Sequence, residues 1–165
     1  MKQKLKHYIK EILFFVITMT IIANLLSLYK SQELSDAPLR LATLKLIDNS
    51  TYKFPSDKPV LIHFWATWCP TCKVEAPNIE FISKHFEVVT IAVDSGTSAE
   101  LTAFIKEENY TYPVVNDSLK YLSREFNIAG FPTTFIYDKD KKLIFSEVGY
   151  TSIVGLYLRM WWTSF

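Results

Sequence analysis

Cysteine is nearly absent from this chain: of 165 residues only two are cysteine, and both lie in one short segment. Histidine is almost as scarce, with three. No second C-x-x-C and no H-x3-5-H pair occurs, and His63 and His85 are badly spaced as ligands, so no four-ligand zinc site can be assembled. A framework of structural disulfides is excluded too, because a single pair closing so short a loop adds little stability. There is no excess of basic charge. A net charge of +1 creates no field for nucleic acid, and no motif argues for nucleic-acid binding. Internal repeats and low-complexity tracts are missing, which excludes repeat arrays. No cleavage site of the A-x-A kind follows the N-terminal apolar run, and no cysteine is present there for a lipid.

What the chain does have begins at its N-terminus. Residues 1–11 are basic, with Lys2, Lys4, Lys6 and Lys10, and Ile12 to Leu28 is uncharged and mostly apolar. At the helical rise these residues cover about 25 Å, the short end of what spans a bilayer. The stretch is longer than the apolar part of a signal peptide, so the expectation is an uncleaved transmembrane anchor over 12–28, with residues 1–11 cytoplasmic and the rest exported. Thr18, Thr20, Asn24 and Ser27 moderate its hydropathy. Residues 29–41 then read as a linker and 42–165 as one domain.

The two cysteines stand in Trp65-Ala66-Thr67-Trp68-Cys69-Pro70-Thr71-Cys72. The apolar run Val60 to Trp65 reads as a buried strand, and the spacing of Ile79, Ile82 and Phe86 reads as a helix opening near Pro70. Cys69 is thereby placed at a helix N-terminus, where unpaired N–H groups and the macrodipole favour a thiolate. Pro70 fits the first turn, where its missing donor costs nothing. A thiolate with a second thiol one turn away can attack a disulfide and then be released by its neighbour. The pair therefore points to redox exchange, in a compartment that permits disulfides.

Around this motif the chain alternates strands and helices. Residues 44–48 and 51–54 read as a hairpin across Asn49-Ser50. The cysteine helix is expected over 70–86, kinked at Pro77. Val88 to Val93 is a second buried strand, and a helix opens at Ser98 with Leu101, Phe104 and Ile105 on one face. Residues 112–117 are extended, and Leu119, Leu122 and Phe126 mark another helix. Residues 133–137 and 142–148 form a hairpin, and a last helix runs from Ser152 to about Thr163. The pattern predicts an α/β domain, a central mixed sheet flanked by helices, with an N-terminal β-hairpin.

With these residues in place, the chain resembles the thioredoxin superfamily, and within it the membrane-anchored TlpA/ResA-like group of exported thiol–disulfide oxidoreductases. Phe64 to Cys72, then Glu75 and Pro77, then Gly130-Phe131-Pro132-Thr133-Thr134-Phe135 carry the resemblance. The tail, Gly149-Tyr150-Thr151-Ser152 with Leu158-Arg159-Met160-Trp161-Trp162, is similar to the ScsD-like (suppressor of copper sensitivity D) branch. The resemblance implies a thioredoxin-like fold, Cys69 as exposed attacking thiol, Cys72 as resolving thiol and Pro132 as a cis-proline facing them. It also implies a substrate surface of Trp68, Pro70, Thr71, Phe131 and Thr133, and no cofactor. Phe131 departs from the small or β-branched residue usual before that proline; it either narrows the choice of partner or fills space.

Glu75 resembles the acidic residue that ResA-like reductases keep near the active site, where a buried carboxylate relays a proton to or from the Cys72 sulfur. The alternative is an exposed helix-surface glutamate. His63 stands where thioredoxins carry a buried aspartate; a hydrogen-bonded core histidine is the favoured reading over a base. Trp65 is expected beneath the site. The tail helix is apolar nearly all round, so core packing accounts for only one face, and its tryptophans suit a membrane interface. The expected activity is reduction of disulfides in exported proteins, supplied with electrons by a membrane donor. The alternatives are thiol oxidation, a Cu(I)-binding module for copper tolerance, since a dithiolate is a soft ligand set, and a redox-inert adaptor.

Overall fold

The computed structural model describes the backbone of residues 2–31, 34 and 37–165, and the side chains of these except 2–6, 20, 23, 24 and 26–31. The expected cytoplasmic side chains Lys2, Lys4 and Lys6 and part of the expected linker lie outside the described residues. The N-terminal stretch is one continuous helix, α1 (Lys2–Ser31), which runs beside the edge strand β7 (Leu143–Val148). Among the described residues no helix is long and apolar enough to cross a membrane, the expected span over 12–28 being interrupted by side chains outside that set.

The domain is built on β3 (Val60–Trp65), whose six residues are all buried. A strand covered on both faces reads as an unbroken apolar run, which is why alternation is absent there. It pairs in parallel with β4 (Glu87–Val93) and antiparallel with β6 (Thr133–Tyr137), Val60 opposite Tyr137 and Phe64 opposite Thr133. With β5 (Val114–Asp117) and β7 outermost, the order is β5-β4-β3-β6-β7, the mixed sheet expected. Strands β1 (Thr43–Lys45) and β2 (Thr51–Lys53) form the separate N-terminal hairpin.

The sheet's two faces hold two cores. Leu61 packs with Ile79 and Ile82 of α2 (Pro70–Ser83), Leu101 of α3 (Ser98–Glu107), and Leu156 and Met160 of α5 (Ile153–Thr163). Val60, Ile62 and Phe64 point the other way, toward Phe126 behind α4 (Tyr121–Glu125), the β1–β2 hairpin, Leu34 and Leu39.

Two boundaries differ from expectation. Helix α2 ends at Ser83 and not at Phe86, because the N–H groups of His85 and Phe86 both turn back onto the Ile82 carbonyl. It runs through Pro77 without ending there. Leu119, expected with Leu122 and Phe126 to mark a helix, lies before α4 and is exposed. Lys120 precedes that helix in the left-handed region (φ 59°), and the Asp117 carboxylate accepts the N–H groups of Leu122 and Ser123, so α4 begins after Leu119. Gly149, at φ +106°, turns the chain out of β7 in a region that side chains disfavour, and its N–H donates to the Pro132 carbonyl.

Candidate active site

Cys69 is the N-cap of α2, with extended backbone, and Pro70 opens the helix. Cys69 and Cys72 are joined as a disulfide, their Cα atoms 5.3 Å apart. The Cys69 sulfur accepts the N–H of Cys72 at 3.1 Å, the bond a capping side chain makes to an otherwise unpaired donor. No acidic side chain lies in the first turn of α2 to oppose negative charge on that sulfur. The expected contrast in access is small in this oxidised form: Cys69 is 5% exposed and Cys72 2%. The two sulfurs differ in place, Cys69 at the mouth of the helix and Cys72 within its first turn.

The loop before the helix is tied to the end of β4. Thr67 N–H donates to Ser95 Oγ at 3.0 Å, and the Trp68 indole donates to the Asp94 carbonyl at 3.0 Å. Trp68 remains 60% exposed, its ring edge-on to Phe131 with centroids 5.6 Å apart. The Phe131–Pro132 peptide bond is cis, and Phe131 packs against the core cluster that contains both cysteines. Trp68, Phe131 and the exposed Pro70 and Thr71 thus frame the disulfide. Thr133 does not join them with its side chain. As the first residue of β6 it points into the opposite core, is fully buried, and donates its hydroxyl to the Gly130 carbonyl at 2.8 Å.

Beneath the helix, His63 is 2% exposed and its Nδ1 lies 2.9 Å from Thr134 Oγ1. Burial pushes its pKa down to about 3, so it is neutral at physiological pH and a weak base. The core reading of His63 holds. Trp65 packs on Phe104 and Tyr112, as expected of a residue beneath the site.

Glu75 is fully buried, not a surface glutamate. Its Oε1 accepts the N–H of Thr151 at 3.0 Å, and its Oε2 has no partner among the described residues. Burial, opposed by the Thr151 bond and aided by nearby Glu147, pushes its pKa up to about 8. Sequence reasoning missed what holds this group. Thr151 donates its hydroxyl to Glu147, Glu147 pairs with Arg159 of α5, and Asn78 donates to the Thr151 carbonyl. These partners lie up to 76 residues apart. The only local signal was the opposite charge of Glu147 and Arg159.

Two sulfurs one turn apart, the first seated where backbone N–H groups converge, can cycle between dithiol and disulfide. Set on this helix-flanked mixed sheet, they make the chain a thiol–disulfide oxidoreductase of thioredoxin-like fold. Known proteins agree with that class. Residues 32–146 match the AhpC/TSA family, and the chain belongs to it. It is 27% identical over 166 residues to a thioredoxin-like protein of Haemophilus influenzae, the alignment covering 98% of each chain. It is 33% identical over 117 residues to the thiol-disulfide oxidoreductase ResA of Bacillus subtilis, covering 67% of this chain and 64% of ResA. The crystal structure of StoA from Bacillus subtilis superposes with a TM-score of 0.65 at 26% identity, covering 74% of this chain and 96% of StoA.

Proposed function

We propose that this chain is a membrane-anchored reductase of disulfides in exported proteins, working through a mixed disulfide on Cys69. The observation that carries the reading is Cys69 as N-cap of α2, bonded to Cys72 and framed by exposed Trp68 and partly buried Phe131. In the reduced chain, the Cys69 thiolate attacks one sulfur of the substrate disulfide. A Cys69–substrate disulfide forms and the other substrate sulfur leaves as a thiolate. Cys72, losing its proton, then attacks Cys69 Sγ, closes the Cys69–Cys72 disulfide and releases the second substrate sulfur. Two electrons and two protons pass from the dithiol to the substrate, and a membrane donor restores them.

Glu75 is the proposed proton-exchange partner of Cys72, taking its proton when ionised and returning one when protonated. The two residues lie three apart on one face of α2, and a carboxyl near 8 exchanges protons in the range of a thiol. Pro132 is proposed to face an incoming substrate strand. The cis bend at Phe131–Pro132 is where that strand would pair with the backbone of the residue before the proline.

The anchor is argued from α1. Ile12, Leu13, Phe14, Phe15, Val16 and Ile17 are consecutive, and each is about half or more exposed (49–72%) although α1 runs beside β7. A helix that docked on the domain would bury one stripe; one that is apolar all round needs a non-aqueous solvent. Lys10 and the lysines before it favour a cytoplasmic N-terminus and an exported domain. The TlpA/ResA-like and ScsD-like assignment belongs to this proposal.

A Cys72→Ser chain should accumulate disulfide-linked substrates, and Cys69→Ser should trap none. The direction is tested by the equilibrium potential in glutathione buffers. A value toward the reducing end of the known span, about −270 mV, fits the reductase, and one toward about −120 mV makes the chain an oxidant.

A further inference from the structure

Helix α5 carries two apolar faces. Leu156 and Met160 are fully buried against the sheet and α2. On the other side Val154, Leu158, Trp161 and Trp162 recur at i, i+4, i+7 and i+8, and they are 49–69% exposed. Phe165 continues the stripe at 89% exposure, edge-on to Trp161. Arg159, the one charged residue of α5, is turned to Glu147 and lies over the Phe145 ring, away from the stripe. Water is a poor solvent for such a face, and among the described residues nothing covers it.

Its place in the molecule indicates what does. Helix α1 ends at Ser31, and Leu34 is already buried on the domain, so three peptide steps of at most about 11 Å join them. The chain is fastened again where Leu39 N–H donates to the Lys141 carbonyl, in the turn between β6 and β7. Trp162 and Phe165 flank that same turn, sharing a cleft of about 270 Å³ with Asp138, Lys139 and Ile144. This is the end of the sheet where Val60 pairs with Tyr137; the sulfurs lie past the other end, where Phe64 pairs with Thr133.

We propose that the α5 stripe rests on the lipid interface of the membrane that holds α1, with Trp161, Trp162 and Phe165 at headgroup depth and the Cys69–Cys72 end held away from the bilayer. The inference rests on the anchored reading of α1. Indole rings favour this depth, being apolar with one polar N–H. Charge contributes little, because the cleft beside the aromatic end mixes Asp57, Asp138 and Asp140 with Lys139. Contact therefore does not require anionic lipid.

The full chain, reconstituted in phosphatidylethanolamine–phosphatidylglycerol vesicles with or without brominated acyl chains, tests this. Helix α1 contains no tryptophan, so indole emission reports on the domain. Two of the four tryptophans should meet lipid, so emission falls by roughly half with brominated chains. The loss should persist in Trp68→Phe, vanish in Trp161→Phe/Trp162→Phe, and recur in neutral phosphatidylcholine vesicles. A chain that resists alkaline carbonate extraction yet shows no quenching overturns the docking alone, as does quenching that survives the double substitution. Unquenched indoles in a chain that runs as a dimer assign the stripe to a second copy and also overturn it. A chain that carbonate extracts overturns the anchored reading and this inference with it.

Discussion

Helices α2 and α5 lie against each other on one face of the sheet and distribute polarity in opposite ways. Helix α2 buries two carboxylates, Glu75 one turn after Cys72 and Glu80 further along. Helix α5 buries no charged residue and exposes two indoles. Sheet packing alone would give both helices the same division, apolar inside and polar outside. The departures fall where each helix meets something other than the sheet: thiol chemistry for α2 and, on our proposal, lipid for α5. The two carboxylates also differ from each other. Burial raises both, but at Glu80 two bonds from Thr111 and the ammonium of Lys84 outweigh it, holding that carboxyl below the ordinary range. Glu75 has one N–H and a like charge nearby, and its carboxyl stays high.

The contrast within α5 can be broken most severely from its buried side. Leu156→Ala should cost about 2–5 kcal/mol in urea unfolding of the chain, whereas Leu158→Ala, on the exposed stripe, should stay within about 0.5 kcal/mol. Equal losses at the two positions would mean that the stripe is covered by protein.

The contrast at α2 is sharpened by pH. The Glu75 pKa rises from 4.5 in the unfolded chain to about 8 in the folded one. The folded chain therefore holds the extra proton, and the stability from this group is complete below 4.5 and lost as pH climbs to about 8. His63 falls from 6.5 to about 3, so its stability is present above 6.5 and lost as pH drops toward 3. Between 6.5 and 8 Glu75 acts without His63, and stability should fall with a slope approaching about 1.4 kcal/mol per pH unit. Denaturation across this window should show the slope in the wild type and its loss in Glu75→Gln; a slope that survives substitution assigns it elsewhere.

The smallest effect is at the start of α5. Ser152 caps that helix by accepting the Gly155 N–H at 3.2 Å, so Ser152→Ala should cost about 1 kcal/mol. Because the cap is remote from the stripe, vesicle quenching should not change.

The sequence made the sulfur motif, the central strand and the terminal hairpins legible because each is a local pattern: a spacing, an apolar run, an alternation around turn residues. Leu119 was misplaced because its spacing from Leu122 continues a helical pattern that the left-handed Lys120 breaks. Thr133 was misplaced because strand alternation sends it into the core opposite the sulfurs, a direction that depends on where β6 begins. The setting of Glu75 was invisible, since its partners come from β7 and the turn before α5. Burial of a carboxylate is decided by the fold, and no spacing within α2 foretells it.

The hydrogen bond from Leu39 to the Lys141 carbonyl has a consequence for how an anchored chain meets its partners. With Leu34 also held on the domain, hardly any free leash remains between helix and catalyst. On the proposed anchored reading, the sulfurs would then patrol a thin shell above the bilayer instead of the bulk compartment. Within that shell the proposed membrane donor would meet them at an effective concentration set by geometry and not by expression level.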